Sequence, residues 1–483
     1  MADATTAPVG PLPLGVFADT GETLPLVDDA AIADFIAGPV ETAAGPAQIQ
    51  DRAERKKGDM GLVREVKDAN ALAQTGWAVL YGPSVTPNIK KKLEPLLARR
   101  EGQAGSLFKV FEGAEGYQPD DTADTWLNRE PRFVPNERVK PKRGVPYYIL
   151  IVAPPTEIPF EFQFGLDLNW AVGRLWFDDD EDAFGRYAES VVAYETAASL
   201  DMAKKLTIFA PQNGSDPSMN LLCENLARPM LAKTAIDDPF GDAEGFRLDP
   251  FIGDTARRET LDCILSGTVE GGRPAVLFTG SHGMRFLPGD VRQAKEQGAI
   301  VCDEWKGKES PPPSAYLSAN HVKDANVHGL VYFMFNCYGC GWPKHDTYTR
   351  LLEHHPVISE TDMLARLPQA LLSHPNGSAL AVLGHVDRSW SCSYSSNIGS
   401  QIGGFREILN SIMSGDRIGY ATDDWNSRWA QLSANLTDNV LPNFKRKLAS
   451  AKDLQEAWIA RDDARNYIVF GDPAVQVRPE LLK

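Results

Sequence analysis

The sequence predicts an α/β protein built on mostly parallel sheets with helices on both faces, and three observations predict it. Short continuous apolar runs rich in β-branched and aromatic residues, at 147–153, 207–210, 275–278, 329–335 and 379–384, read as strands buried on both faces. These runs alternate with stretches of helical periodicity, the pattern of parallel pairing with crossover helices. Two of the runs stop abruptly at reactive side chains: one in Thr279-Gly280-Ser281-His282-Gly283, the other in Asn336-Cys337-Tyr338-Gly339-Cys340-Gly341. Parallel sheets collect ligands and chemistry at the carboxyl ends of their strands, so an imidazole and a thiol are expected on one edge. A thiol becomes a good nucleophile only when a base or positive charge lowers its pKa, and the pairing therefore suggests covalent catalysis.

Composition narrows the class. A chain of 483 residues, 43% hydrophobic, can bury a large core in two or three domains. A net charge of -16 and a pI of about 5.1 argue against nucleic acid or an anionic membrane as partner and bias the surface toward cationic substrates. The start lacks the basic and apolar regions of a signal peptide, and no run approaches a membrane span, so a cytoplasmic location is expected. The six cysteines, at 223, 263, 302, 337, 340 and 392, are too sparse for a disulfide framework and are expected to be reduced. All eight histidines lie at or beyond His282, which concentrates acid/base chemistry in the second half.

In order, residues 1–72 form an N-terminal extension, partly ordered, rich in Ala, Pro, Asp and Thr and turning charged at Arg55-Lys56-Lys57. Residues 73–200 form a first α/β subdomain. It opens with a strand at 77–81 and a Pro-initiated helix at 87–100, where the missing N–H costs nothing in the first turn. A strand at 107–111, a short helix at 121–129, a Pro-rich loop at 131–144 and the strand at 147–153 follow. The apolar piece 171–175 precedes a helix over 181–198. Residues 201–483 form the second α/β subdomain, with a strand at 207–210 closed by the turn Asn213-Gly214-Ser215-Asp216-Pro217, then a helix through 221–226. After the two reactive runs come the strand 379–384, helical material over 400–465 and a last strand and turn at 467–475.

Six blocks, in order, resemble the gingipain-type cysteine peptidases (peptidase family C25), within the clan that also holds caspases. They are the strand 146–153, Ala171-Val172-Gly173-Arg174-Leu175 with Tyr194-Glu195, the His282-Gly283 turn, the Asn336-Cys337-Tyr338-Gly339 turn, residues 381–390 ending in Ser389-Trp390, and Phe470-Gly471-Asp472-Pro473. The resemblance spans about residues 75–480. It implies a caspase/gingipain-like fold and endopeptidase activity, with His282 as general base, Cys337 as nucleophile and the backbone N–H groups of Gly283 and Cys337 as oxyanion donors. It also puts Asp216 at the base of the pocket for the residue before the cut, favouring Arg or Lys there, and Trp390 at the pocket wall. Departures accompany it: His385 replaces a small residue after Gly384, and Pro211 and Gln212 stand where an acidic third member of a triad is expected. The N-terminal extension, or the Lys142-Arg143 loop, is expected to be inhibitory or self-cleaved.

Other readings stay open on the residues alone. Cys337 also reads as a buried structural thiol, and Cys340 competes with it as nucleophile. Cys337 and Cys340 with His345 and His354 or His355 could hold zinc in a zinc-stabilised binding domain. Asp216 also reads as the cap of the helix that follows. The run Asp178-Asp179-Asp180-Glu181-Asp182 reads as a helix start stabilised by the dipole, or as hard oxygen ligands for a structural Ca²⁺. No cofactor or catalytic metal is expected. The expected function is a cysteine endopeptidase acting on a protein or peptide substrate, with a regulatory partner protein; the rival is an inactive peptidase-like scaffold.

Overall fold

The computed structural model describes residues 10–36, 62–129, 138–232, 240, 245–307, 309–349, 356–396 and 399–483. The Arg55-Lys56-Lys57 cluster, His354 and His355 lie outside them, as does the first half of the Pro-rich loop.

One ten-stranded sheet organises the chain. Its order is Phe108–Phe111, Trp77–Tyr81, Tyr148–Val152, Ala171–Leu175, Tyr467–Gly471, Ala381–His385, Val331–Phe335, Pro274–Gly280, Ala203–Ala210, Arg247–Ile252. Every neighbouring pair is parallel except Tyr467–Gly471 beside Ala381–His385. The last strand thus continues the first half in parallel and meets the second half antiparallel, so the two halves present their carboxyl ends at opposite edges. The large, mostly parallel sheet with flanking helices agrees with the expected class.

The continuous apolar runs are central strands because both faces are covered: Tyr148–Val152, Pro274–Gly280 and Val331–Phe335 are buried at every position. Burying a Leu, Ile or Phe side chain contributes about 1.5–3 kcal/mol over leaving it exposed, so such runs select the sheet interior. The helix Pro87–Ala104 runs one turn further than its periodicity suggests. Thr86 caps it by accepting the Ile89 N–H, and it stops at Gly105 with φ of 56°. It packs against Glu181–Thr196, and its Arg100, fully buried, binds Glu195 at 2.6 Å and Asp472 at 2.6 Å. Helices joined by short turns fill most of 403–465, from Gly403–Met413 to Ala451–Arg465.

The acidic run at 178–182 is engaged by cations and by its helix. Asp180 caps Glu181–Thr196 and binds Arg186, Asp182 binds Lys92, and Asp178 binds Arg366. No helix among the described residues is long and apolar enough to cross a membrane.

A small second sheet sits beside the reactive edge, in the order Gly15–Phe17, Gly283–Arg285, Ile300–Val301, Tyr316–Leu317. Its first member belongs to the N-terminal extension. The segment Pro11-Leu12-Pro13 leads into it, Leu12 being disposed to extended backbone by the proline that follows, and the chain bends at Leu14 before the strand begins.

Candidate active site

The register of the main sheet brings the two reactive turns level. Phe335 stands opposite Gly280 in the last paired position of their strands, so Cys337 and His282 each lie two residues beyond the same rung. Asp216 follows the neighbouring strand Ala203–Ala210, and residues 386–390 follow Ala381–His385 on the other side. Four consecutive strands therefore deliver Asp216, His282, Cys337 and Ser389 to one edge.

His282 is fully buried, its ring set edge-on to Trp305 with centroids 5.7 Å apart. Its Nε2 lies 3.0 Å from Oδ1 of Asp216, whereas Nδ1 has no hydrogen-bond partner among the described residues. Asp216 also caps Pro217–Leu222 by accepting the Met219 N–H at 2.9 Å. Burial works against its ionisation, but His282 and the N–H groups of Met219 and Ser218 outweigh that and hold the carboxyl below its ordinary range. Of the two roles read for Asp216, the cap is present; the carboxylate faces His282 and is not left unpaired at a pocket base. A cavity of about 570 Å³, lined by Thr20–Thr23, Ser215–Pro217, Lys306 and Gly307, opens beside it.

Cys337 is fully buried, and its Sγ receives the Ser389 N–H at 3.3 Å and faces the Ser389 hydroxyl at 3.8 Å. Burial pushes its thiol up to about 12, with the Ser389 contacts pulling the other way. The next residue, Tyr338, sits in the left-handed region at φ of 60°, with its N–H on the Asp387 carbonyl at 2.7 Å; Asp387 itself is at φ of 79°. Left-handed backbone at a non-glycine residue costs on the order of 1–3 kcal/mol and persists only where its surroundings impose it. Here it shapes the turn whose Cys337 N–H meets the Leu14 carbonyl. Gly283 is required sterically, since a Cβ there would fall 1.9 Å from the Cys337 carbonyl oxygen.

The backbone N–H groups of Gly283 and Cys337 converge on one acceptor, the carbonyl oxygen of Leu14, at 3.0 and 3.1 Å. Leu14 lies in the N-terminal segment, whose own N–H donates to the Ser389 carbonyl at 3.0 Å. Downstream, Gly15–Phe17 pairs parallel with Gly283–Arg285, then turns back so that Leu24 N–H meets the Gly15 carbonyl at 2.9 Å. This hairpin covers the sulfur.

Cys340 points elsewhere. Its thiol packs against the strand Ala381–His385, where a Cβ on Gly384 would come within 2.9 Å of it. Among the described residues no group of three or more His, Cys, Asp or Glu could hold a metal ion. Trp390, expected at a pocket wall, is fully buried, with Arg388 over its ring and Tyr348 edge-on to it, in a satellite core with Trp458 and Leu454. Its backbone borders the segment through a bridge to Pro13. His385 is buried against Tyr467 and binds Asp463 at 3.2 Å.

Sequence reasoning missed two features. The meeting of Asp216 with His282 escaped because the partner was sought at Pro211 and Gln212, a few residues early on the same loop. The strand Gly15–Phe17 escaped because three residues carry no periodicity; the alternating Pro and Leu before it were the available signal of extended backbone.

No protein-family model matches the chain, and no curated protein matches it. A solved structure described as that of a protease superposes with a TM-score of 0.48 at 12% identity, covering 88% of this chain and 81% of its own. The separase–securin complex of Saccharomyces cerevisiae gives 0.30 at 8% identity, covering 68% of this chain and 15% of that one. Likenesses this loose carry no argument about chemistry, which stands on the chain's own residues.

Proposed function

We propose that the chain is a cysteine endopeptidase in which Cys337 is the nucleophile and His282 the base. Asp216 orients the imidazole through Nε2, which leaves Nδ1 to exchange a proton with the thiol and later with the leaving amine. One observation carries the reading. Two backbone N–H groups, one from the His turn and one from the Cys turn, meet on a single peptide carbonyl beside a cysteine sulfur. Donors converging in this way stabilise the oxyanion of a tetrahedral intermediate, and removing one typically costs about 10²–10³ in rate.

The substrate is a protein or peptide, because the edge of Ser389–Ser391 offers main-chain groups to an extended strand. The basic residue expected before the cut finds less support, since the carboxylate assigned to it is occupied by His282 and a helix terminus. The test is hydrolysis of denatured casein by wild type, Cys337→Ala and His282→Ala. Activity in wild type that disappears in both variants supports the reading, and undiminished activity in Cys337→Ala ends it.

A second reading, a catalytically silent peptidase-like binding protein, is favoured by the sealed thiol. Under that reading wild type and Cys337→Ala are equally inert on every substrate, including after the covering segment is weakened.

A further inference from the structure

The segment over Cys337 has the form of a bound substrate. Leu12 exchanges contacts with Ser391, its N–H on the hydroxyl and its carbonyl on the Ser391 N–H, both at 2.9 Å. Pro13 bridges Trp390 antiparallel, and the Leu14 N–H meets the Ser389 carbonyl. An extended peptide adding a strand to an exposed edge makes these main-chain bonds and offers alternate side chains to pockets. The Leu14 carbonyl then sits between the Gly283 and Cys337 N–H groups, and the chain leaves along Gly283–Arg285. The sulfur lies against the next residue, for a Cβ on Gly15 would come within 2.9 Å of it and within 2.6 Å of Leu24. Thus the peptide bond joining Leu14 to Gly15 is the one presented to the nucleophile.

We propose that residues 12–17 are the enzyme's own first substrate, cut between Leu14 and Gly15, and that the site accepts leucine or a similar aliphatic side chain before the scissile bond. The proposal rests on the peptidase reading above and adds its substrate class and its restraint. Leu14 is fully buried in the apolar core, and a guanidinium or ammonium at that place would have to surrender its water. In the cut, the Cys337 thiol proton passes to His282 Nδ1 as sulfur bonds to the Leu14 carbonyl carbon. The Leu14–Gly15 C–N bond breaks, and the proton goes to the departing Gly15 amine. Water, deprotonated by the same imidazole, then cleaves the thioester, freeing the Leu14 carboxylate and restoring the thiol. Until then the hairpin Gly15–Leu24 closes the site to other substrates, so the uncut chain is latent.

The test uses the full chain as wild type, Cys337→Ala and Leu14→Glu, the last intended to expel the segment. Intact mass and N-terminal sequencing follow the chain's own cleavage. Hydrolysis is measured on denatured casein and on a free peptide of residues 10–20, alongside versions with Arg or Lys at the Leu14 position. The expected result is a new N-terminus at Gly15 in wild type and not in Cys337→Ala, and cutting of the Leu peptide after that residue roughly tenfold or more faster than the Arg and Lys versions. Casein hydrolysis with neither the chain nor the Leu peptide cut at this bond overturns the proposal and leaves the peptidase reading standing. Inertness of wild type and Leu14→Glu toward casein and every peptide removes the peptidase reading, and the proposal with it. The free peptide keeps the test decisive should Leu14→Glu fail to fold.

Discussion

The Nε2 of His282 lies 3.0 Å from the Oδ1 of Asp216, two residues that stand at the ends of neighbouring parallel strands. Which nitrogen an imidazole has free is set by the hydrogen bond the other one makes. Here Asp216 takes Nε2, and Nδ1 is left without a partner among the described residues.

Replacing Asp216 with Asn should separate orientation from capping. Asn caps helices about as well as Asp, so the cost to stability should stay within about 1 kcal/mol. The amide cannot support a charged imidazole, and kcat is expected to fall by about 10²- to 10⁴-fold. KM should hold. Loss of KM with an unchanged kcat would instead assign Asp216 to substrate binding.

Acid should weaken the fold through the same carboxylate. Burial alone would raise Asp216, yet His282 and two N–H groups hold it low; Glu195, buried too, is held low by Arg100. A carboxyl with a depressed folded pKa contributes stability that is complete above its unfolded value, near 4, and is lost as pH falls through the folded value. Urea midpoints are therefore expected to be flat from pH 7 to 5 with respect to these groups and to drop below about pH 4. In Asp216→Asn the drop should be shallower.

The thiol of Cys337 should resist alkylation in the uncut chain. With its pKa pushed up to about 12 by burial, it offers roughly a thousandfold less thiolate at neutral pH than an ordinary cysteine. Iodoacetamide at pH 7.5 should leave Cys337 unmodified while labelling it readily in urea, as peptide mass mapping would show. Native labelling should climb with pH without levelling off below about pH 10. Rapid native labelling at neutral pH would mean that the hairpin does not seal the sulfur.

Much of this architecture was legible because it rests on local pattern. The runs at 147–153, 275–278 and 329–335 announce central strands, since only a position buried on both faces tolerates a run of four to seven apolar residues without alternation. Arg247–Ile252 was not legible: it is an edge strand, half exposed, with Pro250 inside it, and Pro belongs on edges where an N–H is not needed. The reactive turns could be read from His282 in Gly-Ser-His-Gly and Cys337 in Asn-Cys-Tyr-Gly, because each follows a strand. The Asp216 contact and the arrival of Leu14 depend on which strands become neighbours, a tertiary fact that no short window contains. The Tyr194-Glu195 and Asp472 blocks prove to share a buried ionic network through Arg100, distant in sequence and far from the reactive edge.

That network predicts a large stability effect. Arg100 reaches Glu195 and Asp472, and Asp472 also takes the Trp77 indole N–H at 2.9 Å. Burial opposes the charge on Arg100, but the two carboxylates more than restore it. Arg100→Met removes the cation of the fully buried Asp472 and leaves Glu195 with Arg99 alone, at 3.0 Å. Breaking a buried pair in this way costs about 3–5 kcal/mol, which chemical denaturation would measure. The double variant Arg100→Met, Asp472→Asn should recover part of that loss, because the fully buried carboxylate goes with its cation while Glu195 keeps Arg99.

Gly283→Ala should damage the oxyanion site without touching a reactive side chain. The added methyl would fall 1.9 Å from the Cys337 carbonyl oxygen and 2.9 Å from the Asn336 amide nitrogen, backbone and a side chain fixed by hydrogen bonds to Gly298 and Cys337. Neither can yield by that much, so the two turns must separate. Overpacking of this kind costs about 1–3 kcal/mol, and the separation pulls the Gly283 N–H off the carbonyl it shares with the Cys337 N–H. The expected loss in kcat is about 10²–10³-fold, the usual cost of one donor, with His282 and Cys337 both intact. Because Leu14 uses the same two donors, the variant should also loosen the covering segment, so Cys337 in Gly283→Ala should alkylate faster than in wild type while turning over substrate more slowly. Faster labelling and slower turnover in one protein would follow from a shared donor pair, whereas a change in only one of the two would mean that the covering segment and the substrate do not use the same site.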